Sequence, residues 1–446
     1  MNKILKKLLV FSIIFLIIPY TTSSNLVIKH DTNNNPEILE KACLIEKNGV
    51  KILIINGTNY EMGYQHGFLL REEVRENLRA FVNYSNIPMD LLMDTWNIMK
   101  NYVPNRYIDE LQGLSDGAGI SIDEVIAGYM VITREDMGCF GFSSWGDATV
   151  DGRLYHVRSF DQPLDIIDPI TGKNAYENNM IIVRIPDDGI PSITPSIAGS
   201  LHSGGGMNAM GIALGQQVCW SKDQKFTGTP SLIKTQIILD KAENIDDVIE
   251  ILINNKTLGW NYIISDAKKP VGYAVEISGN NSYLGGWNTT FESKKPFWEI
   301  KDVVRRTNFF IEPNMADTQR DKYNPGGFIN FLKLVKRTDI FYAIWRSYKA
   351  ISRDIERNQG KIDLNLSMDL IRDGYKGDTD PLLRLIVILA EGTSFNRAWN
   401  MWAADPLSGD LLVSFAHDGK IAFDTSIHHF NLYDLIQNYK PEDKRN

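Results

Sequence analysis

The run Lys51-Ile52-Leu53-Ile54-Ile55 is apolar after its first residue and closes on Asn56-Gly57. Its length and its turn residues predict a buried strand. From Tyr60 to Tyr84 the period changes. Leu70, Val74, Leu78 and Phe81 or Val82 recur at steps of three and four, which lines one face of an α-helix. Ser121, with Glu124 three residues on, is a capping box that opens another helix. Residues 25–50 are polar and Asn-rich and read as a loose lead-in. The first 138 residues are therefore expected to be mainly helical after one strand.

The pattern shifts at Cys139. Cys139 to Trp145 is short and semi-alternating, and Leu154 to Asp161 suits a return strand. Asp151-Gly152 between them predicts a two-residue hairpin turn. That register sets Cys139 opposite about residue 164 and brings Arg158 and Asp161 near it. These two lie three apart, so a regular strand points them to opposite faces, and a bulge or the strand end must intervene for both to serve one site. Further strands are predicted at Met180–Ile185, Gly211–Val218, Tyr262–Ser265, Tyr273–Ile277, Trp399–Ala404 and Leu411–Phe415. Helices are predicted at Ser231–Ala242, at Ile245–Ile253 and within Gly327–Asp373. Strand-rich segments with grouped helices predict layered α and β, an α+β class, without repeats or a long linker.

Composition adds compartment and excludes partners. The 446 residues are 43% hydrophobic and 23% charged, an ordinary globular balance. Lys3, Lys6 and Lys7, the apolar run Leu8–Ile18, and Thr22-Ser23-Ser24 read as a signal peptide over residues 1–24. The apolar run is short for a span, which needs roughly 20 residues, so a secreted or lumenal protein is expected rather than an anchored one. The net charge of −8 becomes more negative once those lysines go, and gives no footprint for nucleic acid. Three cysteines, Cys43, Cys139 and Cys219, leave at least one thiol unpaired; a Cys43–Cys219 bridge is allowed but not established.

The candidate chemistry gathers at Gly138-Cys139. A lone cysteine before a strand is usually a small hydrophobe. Here it sits where a helical region gives way to strands, and a hairpin returns Arg158 and Asp161 to it. Cys139-Phe-Gly-Phe-Ser-Ser-Trp-Gly-Asp-Ala-Thr, followed by Asp151-Gly-Arg-Leu-Tyr-His-Val-Arg-Ser-Phe-Asp161, resembles the start of the catalytic chain in the C45 family of autoproteolytic acyltransferases and hydrolases. That family includes isopenicillin N acyltransferase and is related to bile salt hydrolases, penicillin V acylase and acid ceramidases. Gly57-Thr-Asn-Tyr-Glu-Met-Gly-Tyr-Gln-His-Gly67 is similar to its propeptide. Gly206-Met-Asn-Ala-Met-Gly-Ile-Ala, Asn261-Tyr-Ile-Ile-Ser-Asp-Ala, Arg306-Thr-Asn308-Phe and Ala404-Asp-Pro-Leu-Ser-Gly extend the likeness over most of residues 51–416.

The resemblance implies a four-layer αββα N-terminal-nucleophile hydrolase sandwich with two stacked antiparallel sheets. It implies cleavage between Gly138 and Cys139, giving a small chain over 25–138 and a large catalytic chain over 139–446 that stay associated in one domain. Arg158 and Asp161 match the family's Arg-x-x-Asp pair, and Asn308 matches an oxyanion-hole asparagine. Gln216 or Gln217 falls where relatives often carry Asn, which leaves the second oxyanion donor open. Arg320 is similar in place to an arginine of ceramidase-like relatives. The substrate is then a small amide or N-acyl compound, attacked through an acyl-enzyme on Cys139, with water or an acyl acceptor taking the acyl group.

The residue types suit that chemistry. A thiolate is the attacking form of cysteine, and a freed α-amino group, with a pKa near roughly 8, can take the thiol proton. Gly138 tolerates backbone geometry at the scissile bond that other residues do not. No metal or cofactor is expected. A papain-like enzyme would need a histidine roughly 130–150 residues after the cysteine, and the nearest are His202 and His417. His428-His429 is the one adjacent pair, a spacing that suits a turn better than zinc. The reading from another class is a secreted binding protein of the same fold without activity. Phe140, Phe142 and Trp145 suit either an apolar acyl pocket or the core.

Overall fold

The computed structural model describes residues 26–27, 35–131, 138–201, 204–320, 340–377, 380–382, 384–385 and 398–438. The expected signal peptide and the stretch 327–339 lie outside them. Among the described residues no helix is long and apolar enough to cross a membrane.

In chain order the strands are β1 Leu26–Val27, β2 Cys43–Lys47, β3 Val50–Gly57, β4 Gly138–Gly146, β5 Gly152–Asp161, β6 Asn179–Pro186, β7 Ser192–Ile197 and β8 Gly205–Asn208. They continue as β9 Ile212–Val218, β10 Trp260–Asp266, β11 Val271–Ile277, β12 Ser282–Gly285, β13 Val303–Arg306, β14 Ala398–Asp405, β15 Asp410–Phe415 and β16 His428–Asn431. One sheet has the order β1-β2-β3-β6-β7-β8-β9-β10-β11-β12, the other β13-β4-β5-β14-β15-β16. The longer helices are α1 Asn59–Leu69, α2 Arg71–Ser85, α3 Met89–Met99, α4 Asn105–Ala118 and α5 Ile122–Val131, then α6 Ser231–Lys241, α7 Ile245–Ile253, α8 Ile340–Arg357 and α9 Leu364–Lys376.

Strand alternation builds the layers. Ile52, Ile54, Ile181 and Val183 meet Trp402, Ala404, Leu411 and Val413 between the sheets. Their neighbours Leu53, Ile55, Met180 and Ile182 turn the other way, onto α1–α5. Ile212, Leu214, Tyr262 and Ile264 of the same sheet pack under α6 and α7. On the second sheet Phe140, Phe142, Tyr155 and Val157 pack against Ile351, Ile355, Met368 and Ile371 of α8 and α9. The result is the expected αββα sandwich, because each two-faced sheet buries one face on the other sheet and one on helices. Phe140 and Phe142 are therefore core, and Trp145 is core between the sheets with Ile263 and Val304.

Several expectations are corrected. The sheets are not wholly antiparallel: β3 and β6 pair in parallel from Lys51↔Met180 to Gly57↔Pro186. The helix expected over Tyr60–Tyr84 breaks at Leu70, where φ is −126°, giving α1 and α2. The lead-in carries β2, paired to β3 from Cys43↔Ile54 to Lys47↔Val50. Asp151-Gly152 is not a two-residue turn. Residues 147–151 form a longer connection, held by Thr149 Oγ1 donating to the Arg153 carbonyl at 2.9 Å and by Arg153 N donating to Asp151 Oδ1 at 3.0 Å. Cys139 consequently pairs with Phe160, not with a residue near 164. His428 and His429 lie in β16 rather than a turn. Cys43, Cys139 and Cys219 are all free thiols.

The capping box at Ser121 is present. Glu124 N donates to Ser121 Oγ at 3.2 Å and Ser121 N donates to Glu124 Oε2 at 2.9 Å, the reciprocal cap at the start of α5. Helices α1 and α4 touch backbone to backbone: a Cβ on Gly63 would lie 2.1 Å from the Glu110 carbonyl oxygen, and one on Gly113 2.1 Å from that of Tyr60.

Candidate active site around Cys139

Gly138 and Cys139 open β4. The alternation that sends Phe140 and Phe142 to the helices turns Cys139 to the layer between the sheets, where it is buried. The same alternation on β5 sends Tyr155 and Val157 outward and Arg158 inward. Arg158 reaches across to β9. Its Nε and Nη2 donate to the Gln216 carbonyl at 3.2 and 3.1 Å, and Nη2 lies 3.4 Å from Cys139 Sγ. Glycines clear its path. A Cβ on Gly215 would sit 2.7 Å from Arg158 Cδ, and one on Gly204 2.7 Å from Nη2.

Asp161 lies on the opposite side of β5 from Arg158, as a spacing of three dictates. Ser159 Oγ donates to Asp161 Oδ2 at 3.2 Å and itself accepts from Phe140 N at 3.2 Å. Yet Asp161 is the last residue of its strand and pairs with Gly138. A Cβ on Gly138 would stand 3.1 Å from Asp161 Cβ. The irregularity anticipated here lies on the neighbour: β14 shifts register between Ala398 and Asn400, opposite Asp161 and Phe160. Arg158 thus flanks the Gly138–Cys139 bond at the sulfur, and Asp161 flanks it at the glycine.

Asn308 holds the Cys139 nitrogen. It follows the end of β13, the edge strand beside β4, and its Oδ1 accepts from Cys139 N at 3.0 Å. Its Nδ2 donates to the Val218 carbonyl at 2.9 Å. Gln216 and Gln217 point apart, as neighbours on a strand must. Gln216 Oε1 accepts from Thr235 Oγ1 of α6 at 3.3 Å, while Gln217 lies in the inter-sheet layer beside Asn261. Arg320 stands outside this group. It is exposed, stacks on Trp220 at 5.2 Å and donates to Gln224 Oε1 at 2.9 Å.

Burial pushes the Cys139 thiol up to about 11, against the pull of the Arg158 cation. In the intact chain the sulfur is therefore a neutral thiol near neutral pH, and the side chain that lies on it among the described residues, Arg158, is a cation and not a base. What the site can do chemically is present a thiol, a fixed cation and an oriented Cys139 nitrogen around one peptide bond. Among the described residues no His/Cys/Asp/Glu group has the arrangement to hold a metal ion.

Residues 172–325 match the family model of acyl-coenzyme A:6-aminopenicillanic acid acyl-transferase. That stretch holds Gln216, Gln217, Asn261, Asn308 and Arg320; Cys139, Arg158 and Asp161 precede it. The chain is 25% identical to an uncharacterized protein of Archaeoglobus fulgidus, over 75% of this chain and 60% of that protein. It is 30% identical to protein dcd1B of Dictyostelium discoideum, over 27% of this chain and 29% of that protein. It thus spans less than two thirds of either relative's length. Among solved structures it is similar to the Caenorhabditis elegans ortholog of N-acylethanolamine-hydrolyzing acid amidase, at 12% identity and a TM-score of 0.38, over 66% of this chain and all of that one.

The predicted hairpin made Cys139 and Arg158 legible as candidates, and the family resemblance alone pointed to Asn308. Ser159, Asn261 and the glycines at 204, 205 and 215 escaped. The Gly204-Gly205-Gly206 run was the available signal, since three glycines before a strand mark close approach of another group.

Proposed function

We propose that this chain is a self-processing cysteine amidohydrolase. Cys139 Sγ attacks the Gly138 carbonyl carbon, the Gly138–Cys139 amide becomes a thioester, and its nitrogen leaves as the Cys139 amine. Water then cleaves the thioester, so Gly138 ends as a carboxylate and the thiol is regenerated. The freed amine supplies the base: it takes the thiol proton, the sulfur attacks a substrate amide, and the leaving amine receives that proton. Water releases the acyl group, or an acceptor amine does.

The observation that carries this reading is the convergence on one residue of Arg158 Nη2 on the sulfur and Asn308 Oδ1 on the nitrogen. Arg158 steadies the thiolate and developing negative charge. Asn308 keeps the Cys139 nitrogen in place before and after cleavage. Asp161, abutting Gly138, orients the new terminus. Electrostatic support of this kind is worth about 3–4 kcal/mol per donor in well-studied hydrolases.

The two chains are proposed to stay together. The parallel ladder β3–β6 and the buried Arg184–Glu110 pair both cross from the segment before Cys139 to the segment after it. Residues 1–24 are proposed to direct export and to be removed. A denaturing gel tests the core of the proposal: wild type runs as two chains and Cys139→Ala as one. A single uncut wild-type chain would favour a non-catalytic binding protein of this fold.

A further inference from the structure

Beyond Arg306 the ladder of β13 stops, yet residues 307–310 remain buried. Side chains take over the backbone there. Asn261, on β10 of the other sheet, donates through Nδ2 to the Thr307 carbonyl at 2.8 Å and to the Phe309 carbonyl at 2.7 Å. These two carbonyls bracket Asn308. Farther along, Gln319 Oε1 accepts from Phe310 N at 3.1 Å, and the Glu276 carboxylate accepts from Ile311 N at 2.8 Å and Glu312 N at 3.2 Å. Glu276 is also the partner of Arg306 Nε at 3.0 Å.

We infer that Asn261 is a positioning residue: its carboxamide fixes the backbone on both sides of Asn308 and so sets the Asn308 side chain against Cys139. The inference rests on the catalytic role proposed for Asn308. The Asn261 carboxamide donates to backbone on either side of Asn308, so its effect on chemistry passes through Asn308.

The plainer reading is that buried carbonyls need partners and Asn261 merely supplies them. One observation favours more than that: a single donor nitrogen serves both neighbours of one residue, the residue whose own carboxamide holds the Cys139 nitrogen.

The experiment measures the first-order rate of self-cleavage of freshly refolded precursor, which needs no substrate. The variants are Asn261→Leu and Asn261→Asp, which keep the shape and lose the donor, Asn308→Ala, and each Asn261 change combined with Asn308→Ala. Folding is checked by the thermal midpoint of the same changes on a Cys139→Ala background. Asn261→Leu is expected to slow cleavage at least about tenfold, since small misplacement costs that much or more. In the Asn308→Ala background the same change is expected to add less than about twofold, the non-additivity of residues acting through one group. On the cleaved forms, hydrolysis of decanoyl p-nitroanilide is expected to lose kcat with KM unchanged. Wild-type rates in both Asn261 variants, or fully multiplicative losses, overturn the inference. Failure of both variants to fold assigns Asn261 to stability and overturns it too. An uncut wild type instead overturns the proposed function.

Discussion

Glu110 offers the sharpest test of how the two segments are held. Its carboxylate pairs with both Arg184 nitrogens, Nη1 and, at 3.1 Å, Nη2; the Arg184 and Glu110 side chains are 1% and 0% exposed. Asn59 Nδ2 donates to the same carboxylate at 2.6 Å. Among the described residues Arg184 retains a distant second acid, Asp240, 4.0 Å from Nε and already engaged by Tyr107 and Arg106. Glu110→Ala therefore leaves a guanidinium buried without its main partner, a change that costs about 3–5 kcal/mol. Glu110 lies before Cys139 and Arg184 after it, so once the chain is cut this cost falls on chain association. At about 1.4 kcal/mol per decade it corresponds to a hundredfold to few-thousandfold weaker hold on the small chain. The assay is release of the small chain from the cleaved protein, followed by size exclusion across a urea series. Glu110→Ala should release it at clearly lower urea than wild type, and Glu110→Gln at an intermediate point. The double change Glu110→Leu/Arg184→Met should recover most of the loss, because it removes both charges. Release of the Glu110→Ala small chain at the wild-type urea concentration would refute the reasoning.

Other outcomes follow from the same geometry. Gly113→Ala places a Cβ 2.1 Å from the Tyr60 carbonyl oxygen, so it should lower the precursor's stability by about 1–3 kcal/mol or more, read as a fall in Tm. Burial raises the Glu276 carboxyl to about 7, against Arg306 and two backbone donors. A raised acid favours the folded state while protonated, so its contribution is full below the ordinary carboxylate range and is lost as pH rises through about 7; Glu276→Gln should flatten that loss in denaturation midpoints taken from pH 5 to pH 8. Arg158→Met removes the cation 3.4 Å from the thiol and should slow self-cleavage roughly a hundredfold or more, measured by gel densitometry.

Much of this fold is written in hydrophobic spacing. The strands at β3, β4, β5, β6, β9, β10, β11, β14 and β15 carry continuous or alternating apolar runs, and the helices α6, α7 and α9 carry theirs. What escaped lacks such spacing. β2 reads Cys-Leu-Ile-Glu-Lys and becomes a strand only because β3 offers it a ladder. β7 contains Pro195, which ordinarily argues against a strand. It is tolerated because β8 pairs only with Ser192 and Ile193, leaving Pro195 beyond its reach. β13 reads Val-Val-Arg-Arg, and no local rule says that both arginines are buried, as they are by Ser352, Trp298, Glu276 and Glu292.

The site divides the same way. Cys139, Arg158 and Asp161 were legible because one hairpin joins them. The register was off by about four residues on the return strand because the Thr149 and Asp151 side chains stabilise a longer connection than Asp151-Gly152 alone implies. Asn261 stands in a stretch that carries the family likeness, but its role was not legible, because its partners Thr307 and Phe309 lie 46 and 48 residues away and meet it only across two sheets.

The most direct measurement is intact mass and N-terminal sequencing of protein that hydrolyses an amide substrate. A large chain beginning at Cys139, with a free amine and a small chain ending at Gly138, is the predicted result. Amide hydrolysis by material in which residues 138 and 139 are still joined would contradict the account.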